Sequence, residues 1–254
     1  MWKLTVAALL LAVSTIGSRK KPDPVVTPPN DDGKGAMSIT FQNIAGTQPL
    51  MLGSAWYMHA NGDSFQVNTY KYYVSNVVLV RADGTEFKEF ESYHLIDEAN
   101  NQSKSFQLNH VPEGNYVKMK FLLGVDSARN VSGAQTGALD PMHGMFWDWQ
   151  TGYIMAKLEG NSPQANTNDK SIIFHTGGFG GNLNVLREVM LEFPQLAVIE
   201  TGKKPNVHIK ADILEWFQDP SVIDFKQTSV VMGGKDLKVL ADNYADMFTV
   251  DHID

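Results

Sequence analysis

Short apolar segments separated by turn-forming residues dominate the chain from about residue 36 onward. Tyr70 to Val80 (YKYYVSNVVLV) is rich in aromatic and β-branched residues and ends at Ala82-Asp83-Gly84, a sequence typical of a hairpin turn. In Asn115 to Val125 (NYVKMKFLLGV), alternate residues separate onto opposite faces, as in a strand. The predicted strands are Met37–Ile44, Tyr70–Val80, Ser92–Asp97, Ser105–Leu108, Asn115–Val125, Tyr153–Leu158, Ile172–His175, Val189–Phe193 and Val207–Ile213.

Helical patterns are few. Asp212–Phe217 predicts one helical turn that Pro220 ends, and Lys235–Met247 has apolar residues near helical spacing. Many short strands with little helix predict an all-β fold, a β-sandwich or Greek-key arrangement, with one or two short helices near the C-terminus. The loop over residues 126–152 is long enough to be functional or disordered, and its aromatic content favours a functional loop.

The first 36 residues have a different composition. A short apolar run after Lys3, followed by small residues up to Gly17, predicts an export signal over residues 1–17. Residues 18–36 are rich in Pro, Lys and Asp and predict a disordered tether, which leaves residues 37–254 as the folded domain. Ser18 stands where a bacterial lipoprotein has its lipidated cysteine. The chain is therefore either a freely exported relative of a lipoprotein or a version of one in which Ser18 replaces that cysteine. We expect contact with a membrane only through an N-terminal lipid anchor, which requires cysteine at position 18 in the native protein. We expect it in the periplasm or outer cell envelope of a bacterium.

Charge and cysteine content narrow the candidate chemistry. The formal charge of −7 argues against nucleic acid as a partner, because nucleic-acid binding favours a basic face. The 254 residues include no cysteine, which removes disulfides, thiolate ligands and thiol nucleophiles together. A site for a soft metal must therefore use histidine and methionine.

Met142 to Trp149 (MHGMFWDW) concentrates sulfur, imidazole and indole groups in eight residues. If this segment is extended, His143, Met145, Trp147 and Trp149 fall on one face, although Gly144 indicates a turn in its first part. Imidazole and thioether ligands together suit copper, Cu(I) above all. The alternative interpretation, tight core packing in a β domain, stays open at this point.

The remaining histidines give weaker indications. His94 and His175 lie in predicted strands, and Gly177 after His175 leaves room around the imidazole. His208 and His252 are expected at the surface, as is His110. The sequence has no HExxH, GxSxG or P-loop motif, so we expect a protein that is not an enzyme.

Several segments in the same order resemble the MbnP-like domain, a family of exported bacterial copper-binding proteins associated with a di-haem peroxidase-like partner. They are YYVSNVVLVRADG, YHLID, VPEGNYVKMKFLLGVD, SGAQTGALDPMHGMFWDWQTGYIMAKLEG and FHTGGFGG. The pattern M-x-W-x-W-x-x-G-Y, which begins at Met145, is the most specific part, and the resemblance covers roughly residues 37–250. Some members of this family carry disulfides near the glycine-rich turn, whereas this chain has no cysteine.

The resemblance implies a β-sandwich that binds one copper ion beside a tryptophan that the partner oxidises to kynurenine. It implies His175 as a ligand, with one or more of His143, His94 and Met145. The candidates for oxidation are Trp147 and Trp149.

Two further hypotheses remain beside a copper protein that stores, carries or senses the metal. One is a metal-free binding module whose aromatic patch holds a sugar or peptide. That patch would comprise Phe146, Trp147, Trp149 and Tyr153. The other is a metal-dependent redox enzyme or hydrolase, which lacks a recognisable base and nucleophile in the sequence.

Overall fold

The computed structural model describes residues 34–147 and 152–254, which form two β-sheets with little helix. The strands are β1 (Lys34–Ala45), β2 (Gln48–Pro49), β3 (Tyr57–Met58), β4 (Ser64–Arg81), β5 (Glu86–Lys88), β6 (Tyr93–Asp97), β7 (Ser105–Pro112), β8 (Gly114–Leu123), β9 (Ile154–Asn161), β10 (Ser171–Gly177), β11 (Arg187–Ile199), β12 (Asn206–Asp212), β13 (Val230–Val231) and β14 (Phe248–Ile253). The α-helices are α1 (Ser127–Asn130) and α2 (Asp236–Asn243), and short 3₁₀ turns include Pro141–His143 and Ile213–Phe217.

One sheet has five strands and the other nine. In the five-stranded sheet the order is β14-β12-β1-β2, with β7 also paired to β1. In the nine-stranded sheet the order is β11-β8-β4-β9-β10-β13, with β3, β5 and β6 also paired to β4. The pairs β1–β12 and β10–β13 are parallel and the other strand pairs are antiparallel.

Aromatic side chains join the two sheets in the core. Phe41 of β1 packs edge to face against Tyr72 of β4 and Phe121 of β8, with ring centroids 6.1 and 6.3 Å apart. Such edge-to-face pairs are the geometry that the aromatic quadrupole favours. The facing sheets with a shared apolar interior confirm the predicted all-β sandwich.

All nine predicted strands are present, most of them longer than predicted. The predicted helical turn before Pro220 is the 3₁₀ turn Ile213–Phe217, and the predicted helix near the C-terminus is α2. The sequence analysis missed β14 and the short strands β2, β3, β5 and β13. These short strands hold two or three residues, too few to show an alternating pattern.

The predicted export signal, residues 1–17, lies outside the described residues, as does the predicted tether up to residue 33. β1 begins at Lys34 and so includes the last three residues of the segment assigned to the tether. Among the described residues, no helix is both long enough and apolar enough to cross a bilayer.

Candidate metal centre

A row of polar side chains crosses the outer face of the nine-stranded sheet. Lys71 of β4, Lys157 of β9 and His175 of β10 are direct cross-strand neighbours. At one end of the row, Lys71 Nζ lies 2.9 Å from Asp97 Oδ2 of β6. Tyr72 packs on the five-stranded sheet, so Lys71 beside it faces away from the sandwich interior. The row therefore belongs to the side of this sheet that the sandwich core does not use.

Residues 126–153, the cover segment, connect β8 to β9, and the turn at His143 and Gly144 lies over this row. Lys71 Nζ donates a hydrogen bond to the carbonyl of His143 at 3.2 Å, and Lys157 Nζ donates to that of Gly144 at 2.5 Å. Burial lowers the pKa of the Lys157 ammonium, with Lys71 adding to this effect and Glu159 opposing it. Two lysines of the sheet thus hold the turn of the cover segment by its backbone carbonyls.

Asn130 joins the two ends of the cover segment. Its side-chain oxygen accepts from the backbone N–H of Tyr153 at 2.9 Å, while its amide nitrogen donates to the carbonyls of Val125 and Asp126. The Asp126 carboxylate in turn accepts from two backbone N–H groups of α1, as an N-cap. Asn130 is buried, so these bonds fix where the chain leaves and rejoins the sheet.

Residues 146–147 and 152–153 of the cover segment pair with each other in antiparallel orientation. Phe146 forms a β-bridge with Tyr153, and their rings meet edge to face with centroids 5.1 Å apart. The N–H of Trp147 donates to the carbonyl of Gly152 at 3.1 Å. This pairing fixes the backbone of Trp147 next to the start of β9.

The predicted alternation of His143, Met145, Trp147 and Trp149 on one face holds only in part. His143 ends a 3₁₀ turn, and Gly144 adopts the left-handed region with φ of 69°, which breaks the extended pattern. Met145 and Trp147 follow Gly144 in the chain and are both buried. Trp149 lies in residues 148–151, outside the described residues.

The indole of Trp147 lies on Gly177 of β10. A Cβ atom on Gly177 would be 2.2 Å from Trp147 Cζ3 and 2.5 Å from Cη2, so a side chain at this position would collide with the ring. Gly177 follows His175 by two residues, roughly 7 Å along the strand, and shares its face. The room that the sequence predicts beside His175 is thus present, and the indole fills it.

His175 is buried and has one hydrogen-bonded nitrogen. Its Nε2 lies 2.7 Å from Glu159 Oε1 on the neighbouring strand, and this hydrogen bond lowers the pKa of the Glu159 carboxyl to about 2. Because a carboxylate only accepts, Nε2 carries a proton, and in the neutral imidazole Nδ1 then has a lone pair. His175 Nδ1 is buried without a hydrogen-bond partner among the described residues.

This arrangement fits a metal ligand. A carboxylate that holds one imidazole nitrogen commonly fixes the tautomer and orientation of a histidine that binds metal through the other nitrogen. A buried nitrogen without a partner costs free energy unless a ligand satisfies it. Within the described residues, no group of three histidine or carboxylate side chains includes His175.

The other predicted ligands occupy different positions. His143 is exposed on the cover segment, on the same side of the sheet as His175, and its Nε2 donates to the carbonyl of Gly137 at 3.0 Å. His94 pairs with Val74 in the β6–β4 ladder and faces the other way, stacked on Phe106 with ring centroids 3.5 Å apart. The structure therefore brings His143, but not His94, to the face that carries His175.

Sequence reasoning did not identify Glu159 and Lys157 as parts of this site. Both alternate with buried residues in β9 (IMAKLEGN), which leaves them on one face of an otherwise apolar strand. Polar residues at alternate positions of a central strand are the sequence feature that could have identified Lys157 and Glu159.

His59 is a second buried histidine, separate from this site. Its ring packs among Phe65, Phe217 and Phe225, and both ring nitrogens lack a hydrogen-bond partner among the described residues. Burial lowers the pKa of His59 below its ordinary value of 6.5, although the Asp63 carboxylate 3.7 Å away opposes this shift.

The free energy of unfolding is therefore expected to fall as the pH drops below about 6.5, because unfolded His59 binds a proton that the folded state does not. We expect His59→Leu to lose this part of the pH dependence. Urea unfolding of both proteins at several pH values between about 7.5 and 5 would measure it. Parallel curves for the two proteins would contradict the prediction.

Comparisons with known proteins agree with the resemblance seen in the sequence. The family model MbnP matches residues 34–233. Among solved structures, the chain is similar to MbnP from Methylosinus trichosporium, with a TM-score of 0.52 and 16% identity over 78% of this chain and 81% of that chain. At this identity the likeness shows a shared fold. None of the curated proteins compared matches this chain.

Proposed function

Because the chain belongs to the MbnP family, we propose that it is an exported copper-binding protein, not an enzyme, that stores, carries or senses copper at the cell envelope. The observation that carries the proposal is the buried Nδ1 of His175, which has no hydrogen-bond partner among the described residues while Glu159 holds Nε2. The copper would supply a soft Lewis-acid and redox centre on the outer face of the nine-stranded sheet.

His175 would bind the metal through Nδ1, and Glu159 would orient it. Met145 is the buried thioether of the same cover segment, and thioether with imidazole is the donor set that Cu(I) prefers. His143 is a further candidate from the surface of the cover segment. Lys71 and Lys157 would hold that segment in place through its carbonyl groups.

Trp147, whose indole lies on Gly177 two residues from His175, is one candidate for oxidation to kynurenine, and Trp149, outside the described residues, is the other. A di-haem peroxidase-like partner would remove the electrons, as the family resemblance implies. The predicted leader and tether would place the protein in the periplasm or on the outer envelope, where such a partner can reach it.

The test is copper loading of the purified folded domain, followed by metal analysis and mass spectrometry of the peptide that contains Trp147. We expect one Cu(I) per chain, and a kynurenine-sized mass change only when the protein is produced with its oxidising partner. Absence of bound copper after loading under reducing conditions would overturn the proposal.

The burial of Trp147 and Tyr153 disfavours the alternative of an aromatic platform for a sugar or peptide. The two rings are 6% and 1% exposed, so neither offers its face to a ligand. A platform of this kind needs exposed aromatic faces.

A further inference from the structure

We propose that His208, His252 and Asp254 form a second metal site, for a zinc-type divalent cation, on the outer face of the five-stranded sheet. Potential ligand atoms of these three side chains lie within 4.8 Å of one another. The site uses no residue of the proposed copper centre and does not depend on that proposal.

Strand register brings the three side chains together. His208 of β12 is the direct cross-strand partner of His252 of β14. Asn206 and Asp254 exchange two backbone hydrogen bonds of 2.8 and 3.1 Å, which places them as the next pair on the same face. The neighbouring Val207 and Ile209 are buried in the core, so the histidines face outward.

The two imidazole rings are nearly parallel, at 9°, with centroids 4.1 Å apart. The nitrogen lone pairs of two stacked rings lie in separate parallel planes, so binding of one cation by both rings requires rotation of at least one imidazole about its side-chain torsions. The backbone register that makes the two histidines direct cross-strand partners need not change.

His208 Nε2 lies between the side-chain amide of Asn206 and the carboxylate of Asp254. The amide nitrogen of Asn206 lies 2.7 Å from Nε2 and donates to it, while Asn206 Oδ1 accepts from Thr40 Oγ1 at 3.0 Å. Asp254 Oδ1 lies 3.3 Å from the same nitrogen. A cation bound to His208 Nε2 would replace the Asn206 amide at the nitrogen's one lone pair and would be paired with the Asp254 carboxylate.

The distance of 3.3 Å between these two atoms also matches a metal site. Zinc bonds of about 2.0–2.1 Å to nitrogen and oxygen give a ligand–ligand separation of about 3.3 Å in a tetrahedron. The separation of His208 Nε2 and Asp254 Oδ1 therefore puts both atoms within reach of one such ion.

A second carboxylate orients His252. Its Nδ1 lies 2.8 Å from Asp251 Oδ2, and Asp251 is itself held by Lys210 at 2.5 Å. With Nδ1 donating to Asp251, Nε2 of His252 keeps the lone pair that a metal requires, the outer-shell arrangement typical of zinc histidines.

The donor set selects the class of cation. Two imidazole nitrogens and one carboxylate oxygen, without sulfur, suit Zn²⁺ and similar divalent ions better than Cu(I) or Ca²⁺. Three protein ligands leave one tetrahedral position for water or another ligand. The family match ends at residue 233, so His252 and Asp254 lie beyond the residues it covers.

The test is calorimetric titration of the copper-free protein, without an affinity tag, with ZnCl₂. We expect one Zn²⁺ per chain at this site, and an affinity at least about tenfold weaker in His252→Ala and in Asp254→Asn, since even outer-shell losses cost 10–100-fold at metal sites. Both side chains are exposed, so neither change should disturb the core. The matched control is His110→Asn, a change of a β7 histidine outside both proposed sites to a residue that tolerates its positive φ of 57°, which should leave the affinity unchanged.

A second measurement separates this site from the proposed copper centre. Co²⁺ in place of Zn²⁺ should give the intense visible absorption of tetrahedral coordination in wild type and in His175→Ala, but not in His252→Ala. Equal zinc affinity in wild type and His252→Ala would overturn the proposal. Loss of zinc binding in His175→Ala with retention in His252→Ala would also overturn it, because the ion would then occupy the other centre.

Discussion

His175→Ala is expected to abolish tight Cu(I) binding while the β-sandwich stays folded. The imidazole supplies the buried Nδ1 that lacks a hydrogen-bond partner among the described residues. The substitution also removes one hydrogen bond to Glu159, a loss of about 1.5–3 kcal/mol for a bond to a charged group, which a domain of this size should tolerate. Competition with a chromogenic Cu(I) chelator would measure the affinity, and thermal unfolding would show that the variant is folded.

Two further variants test whether the loss of Cu(I) binding is specific to His175. His252→Ala removes a histidine from the other sheet and should leave Cu(I) affinity unchanged. Glu159→Ala keeps the ligand but removes the carboxylate that fixes its tautomer, so we expect Cu(I) binding about tenfold weaker. Wild-type affinity in a folded His175→Ala protein would remove this residue from the copper site.

Strands were predictable from sequence where a segment is long and clearly patterned. Tyr70 to Val80 lies within β4, whose aromatic and β-branched residues fill the interior on one face and support the cover segment on the other. β14 (FTVDHI) was missed because its outward residues Asp251 and His252 interrupt the apolar pattern. Its pairing with β12 is also a long-range contact that no local pattern encodes.

The candidate site was predictable in its residue types but not in its geometry. The sequence predicted that His175 has space beside it because of Gly177, and the structure shows Trp147 in that space. The sequence could not show that His94 faces the sandwich interior. The side of the sheet on which a strand residue lies depends on how that strand is paired with its neighbours. For the same reason the cluster around His208 and His252 looked like two unrelated surface histidines.

Gly177→Ala is expected to destabilise the fold by about 1–3 kcal/mol, because the new Cβ would force the Trp147 indole off β10. Trp147→Ala alone should cost about 3–5 kcal/mol, the usual loss for a buried tryptophan. In the Trp147→Ala background the collision partner is gone, so Gly177→Ala should change the free energy of unfolding by less than about 0.5 kcal/mol. Urea unfolding of the four proteins would give the coupling energy.

The control for the glycine change is Gly180→Ala. Gly180 has an extended φ of −159° and no atom within 4 Å of an added Cβ, so alanine should be nearly neutral there in both backgrounds. A coupling energy near zero between residues 147 and 177 would mean that the indole does not rest on β10 in solution. A coupling of about 1 kcal/mol or more, within the range found for side chains in contact, would place Trp147 on the strand that carries His175. Since an oxidisable indole must lie close to the metal for the two to act together, this coupling measures the proximity on which the kynurenine proposal depends.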